Sequence, residues 1–269
     1  MEVQPQSRST GMTSPISIFD LRGKAAFISG ASSGIGQHTA RMLAKAGAAV
    51  ALAARRTDRL DAVVAELRSE RHKACAVRLD VTDPSTIEPA WREAEHQLGQ
   101  PIDILFNNAG VIYIERFTSQ SYEAVSRIFD TNLKGAFMVA QEAARHMSTH
   151  GQGSIINIAS SSGLRAGGQM SSYGASKAAL IHLTQIMALE LARKGVRVNA
   201  LAPGNIQTDM QAEFTERGIE DGIMKRIPMR RFGEPSDLDG ATLLLASDAG
   251  RYMTGAVIPV DGGQVLSWM

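Results

Sequence analysis

The chain of 269 residues is expected to fold as one α/β domain, a doubly wound parallel sheet of about seven strands with helices on both faces. Three observations carry that expectation. Short apolar runs alternate with longer stretches in which apolar residues recur every three or four positions, giving a β-α-β-α order. The first apolar run opens into a glycine-rich turn and then directly into a helical stretch. The polar clusters fall at the carboxyl ends of apolar runs, where sheets of this kind hold their ligands.

Lys24–Ser29 reads as the first strand, and Gly30-Ala31-Ser32-Ser33-Gly34-Ile35-Gly36 as the turn, with a helix from Gly34 to about Ala46. Backbone N–H groups at such a helix start bind a pyrophosphate, and glycines let phosphates approach. Ala49–Ala54 is small and apolar throughout, as in a strand covered on both faces. Thr57–Glu70 reads as a helix capped by Thr57, and Ala74–Leu79 as the third strand. Asp83 and Pro84 start a helix that runs to about Leu98. Ile102–Phe106 is the fourth strand and ends in Asn107-Asn108-Ala109-Gly110. Two helices are expected next, over 121–129 and 133–150, with Asn132 between them. Ser154–Ala159 is the fifth strand, followed by Ser160-Ser161-Ser162-Gly163. An Ala-rich helix spans Ala175–Leu191, and the sixth strand is Val196–Leu201. The stretch 209–234 reads as irregular, Pro235–Ser247 as a helix and Ala256–Val260 as the seventh strand.

Composition narrows the function. Lys plus Arg number 28 against 27 Asp plus Glu, a net charge of +1 that gives no electrostatic reason to expect nucleic acid or an anionic membrane. The single cysteine, Cys75, allows no disulfide framework within the chain and reads as a small core residue, which suits a reducing, cytoplasmic setting. No apolar run reaches the ~18 residues that span a bilayer. Residues 1–18 are polar, lack the apolar core of a signal peptide and read as a mobile tail before a domain of 19–269. The six histidines stand singly, so no metal site is expected.

Tyr173 and Lys177 carry the clearest chemistry. Positions i and i+4 share a helix face. A phenol titrates near ~10, and a neighbouring cation favours the phenolate, so the pair is expected to act as an acid/base near neutral pH.

Together these residues closely resemble the short-chain dehydrogenase/reductase family, with its Rossmann-type fold, from about Leu21 to Gly263. The resemblance rests on Ser29-Gly30-x-x-x-Gly34-x-Gly36, Asp80, Asn107-Asn108-Ala109-Gly110, Asn132, Ser160, Tyr173-x-x-x-Lys177, Pro203-Gly204 with Thr208, and Asp261-Gly262-Gly263. Ser29 departs from the family's usual Thr, with little consequence expected. The resemblance implies an NAD(P)-dependent oxidoreductase acting on a ketone/secondary alcohol pair. Tyr173 would be the general acid/base, Ser160 would hydrogen-bond the substrate oxygen, and Lys177 would lower the phenol's pKa and hold the nicotinamide ribose. Asn132 would hold a water that links Lys177 to solvent. Gly30, Ser32, Ser33, Gly34, Ile35 and Gly36 would form the phosphate turn, and Asp80 and Val81 would contact adenine. Asn108, Ala109 and Gly110 would line the coenzyme cleft. Pro203, Gly204, Ile206 and Thr208 would stand on the carboxamide side. A dinucleotide-binding sensor on the same fold, and an epimerase or dehydratase of the extended type, remain as alternatives.

Coenzyme choice turns on the end of the second strand. An NAD site there carries an acidic residue that accepts hydrogen bonds from the adenosine ribose. Here the slot is Ala54, followed by Arg55 and Arg56. An arginine fork suits a phosphate, so NADP(H) is expected as the preferred coenzyme, with NAD(H) possible. The alternative is that both arginines are solvated or stack on adenine. Residues 209–233 are expected to be the substrate lid, with apolar Met210, Phe214, Ile219, Ile223, Met224, Ile227 and Met229 beside basic Arg217, Lys225, Arg226, Arg230 and Arg231. The apolar set suits a hydrophobic ketone, and the basic set an acidic or acyl-carrier substrate. The pattern is similar to 3-oxoacyl-carrier-protein reductases and to sugar or polyol dehydrogenases such as gluconate 5-dehydrogenase. Excess apolar residues on the helices over 133–150 and 175–191 predict a homotetramer, or else a dimer.

Overall fold

Seven parallel strands form one sheet in the order β3-β2-β1-β4-β5-β6-β7. The structure is a computed structural model and describes residues 17–208, 218 and 220–267. The strands are β1 (Ala25–Ser29), β2 (Ala49–Ala54), β3 (Ala74–Arg78), β4 (Ile104–Asn107), β5 (Gly153–Ile158), β6 (Val196–Pro203) and β7 (Val257–Val260). The helices between them are α1 (Gly34–Lys45), α2 (Thr57–Ser69), α3 (Ile87–Leu98), α4 (Tyr122–Phe129), α5 (Ala136–His150) and α6 (Ser171–Leu191). Strand order reverses at β1, between β2 and β4, and a crevice opens there beyond the carboxyl ends.

Successive residues of each strand face opposite sides, and both sides are covered. Phe27 joins Trp91, Leu105 and Met147 on one face, and its ring stacks on Trp91 with centroids 5.1 Å apart. Ile28 joins Leu43, Leu52, Phe106 and Ile156 on the other. Each fully buried side chain of this size contributes roughly 1.5–3 kcal/mol. Cys75 lies within the first cluster, and burial pushes its thiol up to about 11, as an inert core residue requires.

A line of buried polar groups crosses this core. Ser29 Oγ accepts the N–H groups of Asn108 and Ala109 at 2.9 and 3.1 Å, clamping the end of β1 to the end of β4. Asn107 donates to the carbonyl of Ala136 at 2.8 Å and to Asn157 at 3.0 Å. Asn157 donates to Thr184 Oγ1 at 2.9 Å. Strands β4 and β5 and helices α5 and α6 are thereby held in one register, and α6 carries Tyr173 and Lys177.

Four local expectations need correction. The N-cap of α2 is Arg56, not Thr57; a guanidinium has no acceptor and gives no side-chain cap, and this one donates to Ser32 instead. Asn132 does not separate two helices. It sits in a π-helical turn, Asp130–Gly135, that joins α4 to α5. At Gly135 the backbone presses on Val81, and a Cβ there would stand 2.8 Å from the Val81 carbonyl oxygen. The stretch read as irregular contains a helix, Glu220–Met224. Ser17–Phe19 forms a 3-10 turn at the end of the expected tail, whose residues 1–16 lie outside the described ones. Within the expected lid, 209–217 and Ile219 also lie outside them, which includes Met210, Phe214 and Arg217.

Candidate active site

The turn after β1 is shaped by contacts that exclude side chains. A Cβ on Gly36 would lie 2.5 Å from the carbonyl oxygen of Gly30, and one on Gly30 would lie 2.8 Å from Ala109 Cα. Gly30 and Gly34 also hold positive φ angles of 67° and 54°. Asn108 Nδ2 donates to the carbonyls of Ser29 and Gly30 at 3.1 and 3.2 Å and closes the turn onto β4. Ser33 caps α1 through its backbone alone, so the first N–H groups of α1 face the crevice. A turn of this shape suits a pyrophosphate.

From the turn a cleft of about 470 Å³ extends over β2 and β3. Gly30, Ser32, Ser33, Gly34, Ile35, Arg55, Arg56, Asp80, Val81, Asn108, Ala109 and Gly110 all line it. Arg56 Nη2 donates to Ser32 Oγ at 2.9 Å, which draws the guanidinium to the turn. Burial by itself would raise the Asp80 carboxyl. The hydroxyl and N–H of Thr82, with Arg55 nearby, more than offset this and hold it below the usual range. Thr82, Arg127 and Thr131 line the same cleft and were not singled out from sequence. They come from the strand-end loop and the close of α4, where no motif marks them.

A second cavity, about 690 Å³, adjoins the first along Ile35, Asn108, Gly110 and Thr208. Ser160, Tyr173, Lys177, Pro203, Gly204 and Ile206 line it. Asn132 and Gly36 line neither space. Gly36 packs beneath the turn. Asn132 is fully buried behind Gly110, accepting from Val111 N–H at 2.8 Å and donating to Ser176 Oγ at 3.3 Å. Gly110 lies between Asn132 and Lys177: a Cβ on it would stand 3.4 Å from Asn132 Oδ1 and 3.5 Å from Lys177 Nζ. Gln169, Asn205 and Gln264 also line the cavity and were missed from sequence. Gln169 holds a positive φ of 65°, an unusual angle for a residue with a side chain.

Helix α6 extends one turn further toward its start than expected and buries Tyr173 and Lys177. Lys177 Nζ donates to the carbonyl of Ile158 at 2.7 Å and lies 5.9 Å from the centre of the Tyr173 ring. The Ser160 hydroxyl accepts from Ser162 N–H at 3.1 Å and is hydrogen-bonded to the phenol. Burial pushes the Tyr173 phenol up, and the Ser160 hydrogen bond acts against it. Burial pulls the Lys177 ammonium down to about 8. The expected lowering of the phenol by Lys177 is therefore not seen in this state. Burial dominates both groups.

Comparison with known proteins matches this arrangement. A family model described as "Enoyl-(Acyl carrier protein) reductase" covers residues 30–264. The chain is 37% identical to the 3-oxoacyl-(acyl-carrier-protein) reductase FabG of Thermotoga maritima, over 91% of this chain and 99% of that one. A short-chain type dehydrogenase/reductase from Mycobacterium marinum superposes with a TM-score of 0.88 at 42% identity, covering 93% of this chain and 98% of the other. The chain belongs to the short-chain dehydrogenase/reductase family. It is a nicotinamide-dependent oxidoreductase of carbonyl and alcohol groups. Among the family's solved structures, a gluconate 5-dehydrogenase from Burkholderia cenocepacia in complex with NADP and tartrate has a TM-score of 0.90 at 34% identity, over 94% of this chain and 99% of that one.

Proposed function

We propose that this dehydrogenase uses NADP(H) to interconvert a ketone and a secondary alcohol, with Tyr173 as the general acid/base. The observation that carries the proposal is that the cleft at the glycine-rich turn opens, along Gly110 and Thr208, into the cavity that holds Tyr173, with its hydroxyl on Ser160 and Lys177 one turn along α6. The coenzyme supplies a hydride to the carbonyl carbon or takes one from the carbinol. The chain's own groups do the rest. A carbonyl that gains hydride becomes an alkoxide, and the Tyr173 and Ser160 hydroxyls are the donors placed to meet that charge. Lys177 has three N–H donors, of which one serves Ile158, leaving two for ribose hydroxyls. Asn132, buried behind Gly110, fixes the π turn beside Lys177, and its Oδ1, which accepts from Val111 N–H, has a second lone pair for a relay water.

The residues fit NADP(H). The cradle of Gly30–Gly36 suits the pyrophosphate, and the end of β2 offers Ala54, Arg55 and Arg56 in place of a carboxylate. Arg55 is the principal ligand of the 2′-phosphate and Arg56, held at Ser32, assists. Asp80 and Val81 flank the adenine, and Ile206 and Thr208 the carboxamide. The relative crystallised with NADP supports the choice. The unit is one domain, 19–269, with 209–233 as the substrate lid, working in the cytoplasm as a homotetramer. Phe137, Ile186 and Leu189 on α5 and α6 are 42%, 40% and 83% exposed, which supports self-association.

The test is a screen of ketones and secondary alcohols, including 3-oxoacyl thioesters and polyols, with both coenzymes and in both directions. Coenzyme oxidation is followed at the reduced-nicotinamide band. Turnover with NADPH exceeding that with NADH on the same ketone is expected. Absence of turnover on every compound with either coenzyme would contradict the proposal and favour a dinucleotide sensor.

A further inference from the structure

The second cavity has a charge pattern that points to its ligand. Of the described residues lining it, none is Asp or Glu, and the charged ones are Lys177 and Arg226. Lys177 stands at the reacting end, beneath Tyr173. Arg226 comes from the segment after the helix Glu220–Met224, beside Gly222 and Ile223, which also line the cavity.

The neighbouring arginines of that segment are engaged, and Lys225 is exposed and does not line the cavity. Arg231 makes a two-point ion pair with Asp237, at 2.6 and 2.9 Å, and Arg230 donates to the carbonyl of Lys225. Arg226 has no ion pair and no side-chain hydrogen bond among the described residues, although its backbone is fixed. Its N–H donates to the Ile223 carbonyl at 2.9 Å. The next residue, Ile227, is 2% exposed and packs on Gly262, where a Cβ would stand 3.0 Å from the Ile227 methyl. Met229 N–H donates to the Gly262 carbonyl at 3.1 Å and pins the same stretch from its other side. An anchored backbone that presents a guanidinium without a partner among the described residues, to a cavity whose described lining has no carboxylate, is a ready anion receptor.

We propose that Arg226 is the specificity-determining residue of this site and selects a ketone that carries a carboxylate remote from its carbonyl. The proposal rests on the assignment of the Tyr173 end as the reacting end. The substrate carbonyl sits at Tyr173 and Ser160, and its carboxylate reaches across the cavity to the Arg226 fork. An acyl group with an apolar tail leaves that fork unpaired, so the cavity discriminates against it.

The test uses the protein saturated with NADP⁺. It is titrated calorimetrically with levulinate and its homologues longer by one, two and three methylenes, and with the methyl ester of each. In wild type at least one acid should bind about tenfold more tightly than its ester, the scale of one charge-assisted contact. Arg226→Gln should bring acid and ester to within about twofold while leaving the ester's affinity unchanged, and Arg226→Lys should keep part of the preference. Acids and esters binding alike in wild type, no acid binding at any length, or an acid preference that survives Arg226→Gln would each overturn the proposal. The last result would assign the carboxylate to Lys177. Turnover of the same ketones with NADPH is measured separately. An acid that binds through Arg226 without being reduced counts against the oxidoreductase reading and not against the receptor.

Discussion

Lys177 Nζ lies 5.9 Å from the centre of the Tyr173 ring and donates a hydrogen bond to the carbonyl of Ile158, at 2.7 Å. The two side chains share one face of α6, yet in this state each is driven toward its neutral form by burial. Burial thus opposes the polarisation of the phenol that the shared helix face favours.

Lys177 is therefore expected to cost stability. Its folded pKa of about 8 lies below the unfolded value of ~10.4. Below pH 8 both states are protonated and the buried ammonium destabilises the fold. From about 8 to ~10.4 the unfolded chain binds more protons, so stability rises with pH. Lys177→Met should accordingly be inactive but more stable at pH 7, by about 1–2 kcal/mol after the lost hydrogen bond to Ile158 is counted. Thermal denaturation of both proteins at several pH values checks this. The gap should close toward pH ~10.4, and a variant no more stable than wild type at pH 7 contradicts the reasoning.

The polar line through the core makes a second prediction. Asn107→Ala removes donors from the Ala136 carbonyl and from Asn157 in a fully enclosed setting. A loss of about 1–3 kcal/mol is expected, because the buried Asn157 carbonyl loses its donor and the Ala136 carbonyl keeps only its helical one. Urea denaturation measures it, and a loss under ~1 kcal/mol would mean that water or neighbours take over both bonds.

Coenzyme selection supplies the third. Removing one charge-assisted contact costs about 1.5–3 kcal/mol. Arg55→Ala should raise the Michaelis constant for NADPH by about 10- to 100-fold and leave that for NADH nearly unchanged. Arg56→Ala should have the smaller effect. Equal weakening for both coenzymes, or a wild type that prefers NADH, contradicts the assignment of the β2 end.

The extent to which this was legible in the sequence follows from the physics of each element. β2 was read at its observed limits, because six small apolar residues between polar flanks admit only a doubly covered strand. The phosphate turn and the Tyr173/Lys177 pair were legible because their chemistry fixes spacing along the chain. Asn132 was placed at a helix boundary because a π turn has no propensity signature, and its cause, Gly135 against Val81, is a tertiary contact. The phenol's raised pKa was missed for a similar reason, since i,i+4 spacing reports proximity and not burial. Arg226 was visible only as one of five basic residues of the expected lid, and among the described ones it alone lines the cavity while Arg230 and Arg231 are held elsewhere.

The central claim is that Tyr173 transfers the proton, and Tyr173→Phe tests it most directly. The substitution keeps the ring and removes the hydroxyl. On a ketone that wild type reduces, turnover should fall by about 10²-fold or more, the scale of general-acid catalysis. NADPH binding, followed by coenzyme fluorescence, should be preserved. A variant that keeps near-native turnover with intact coenzyme binding would contradict the account.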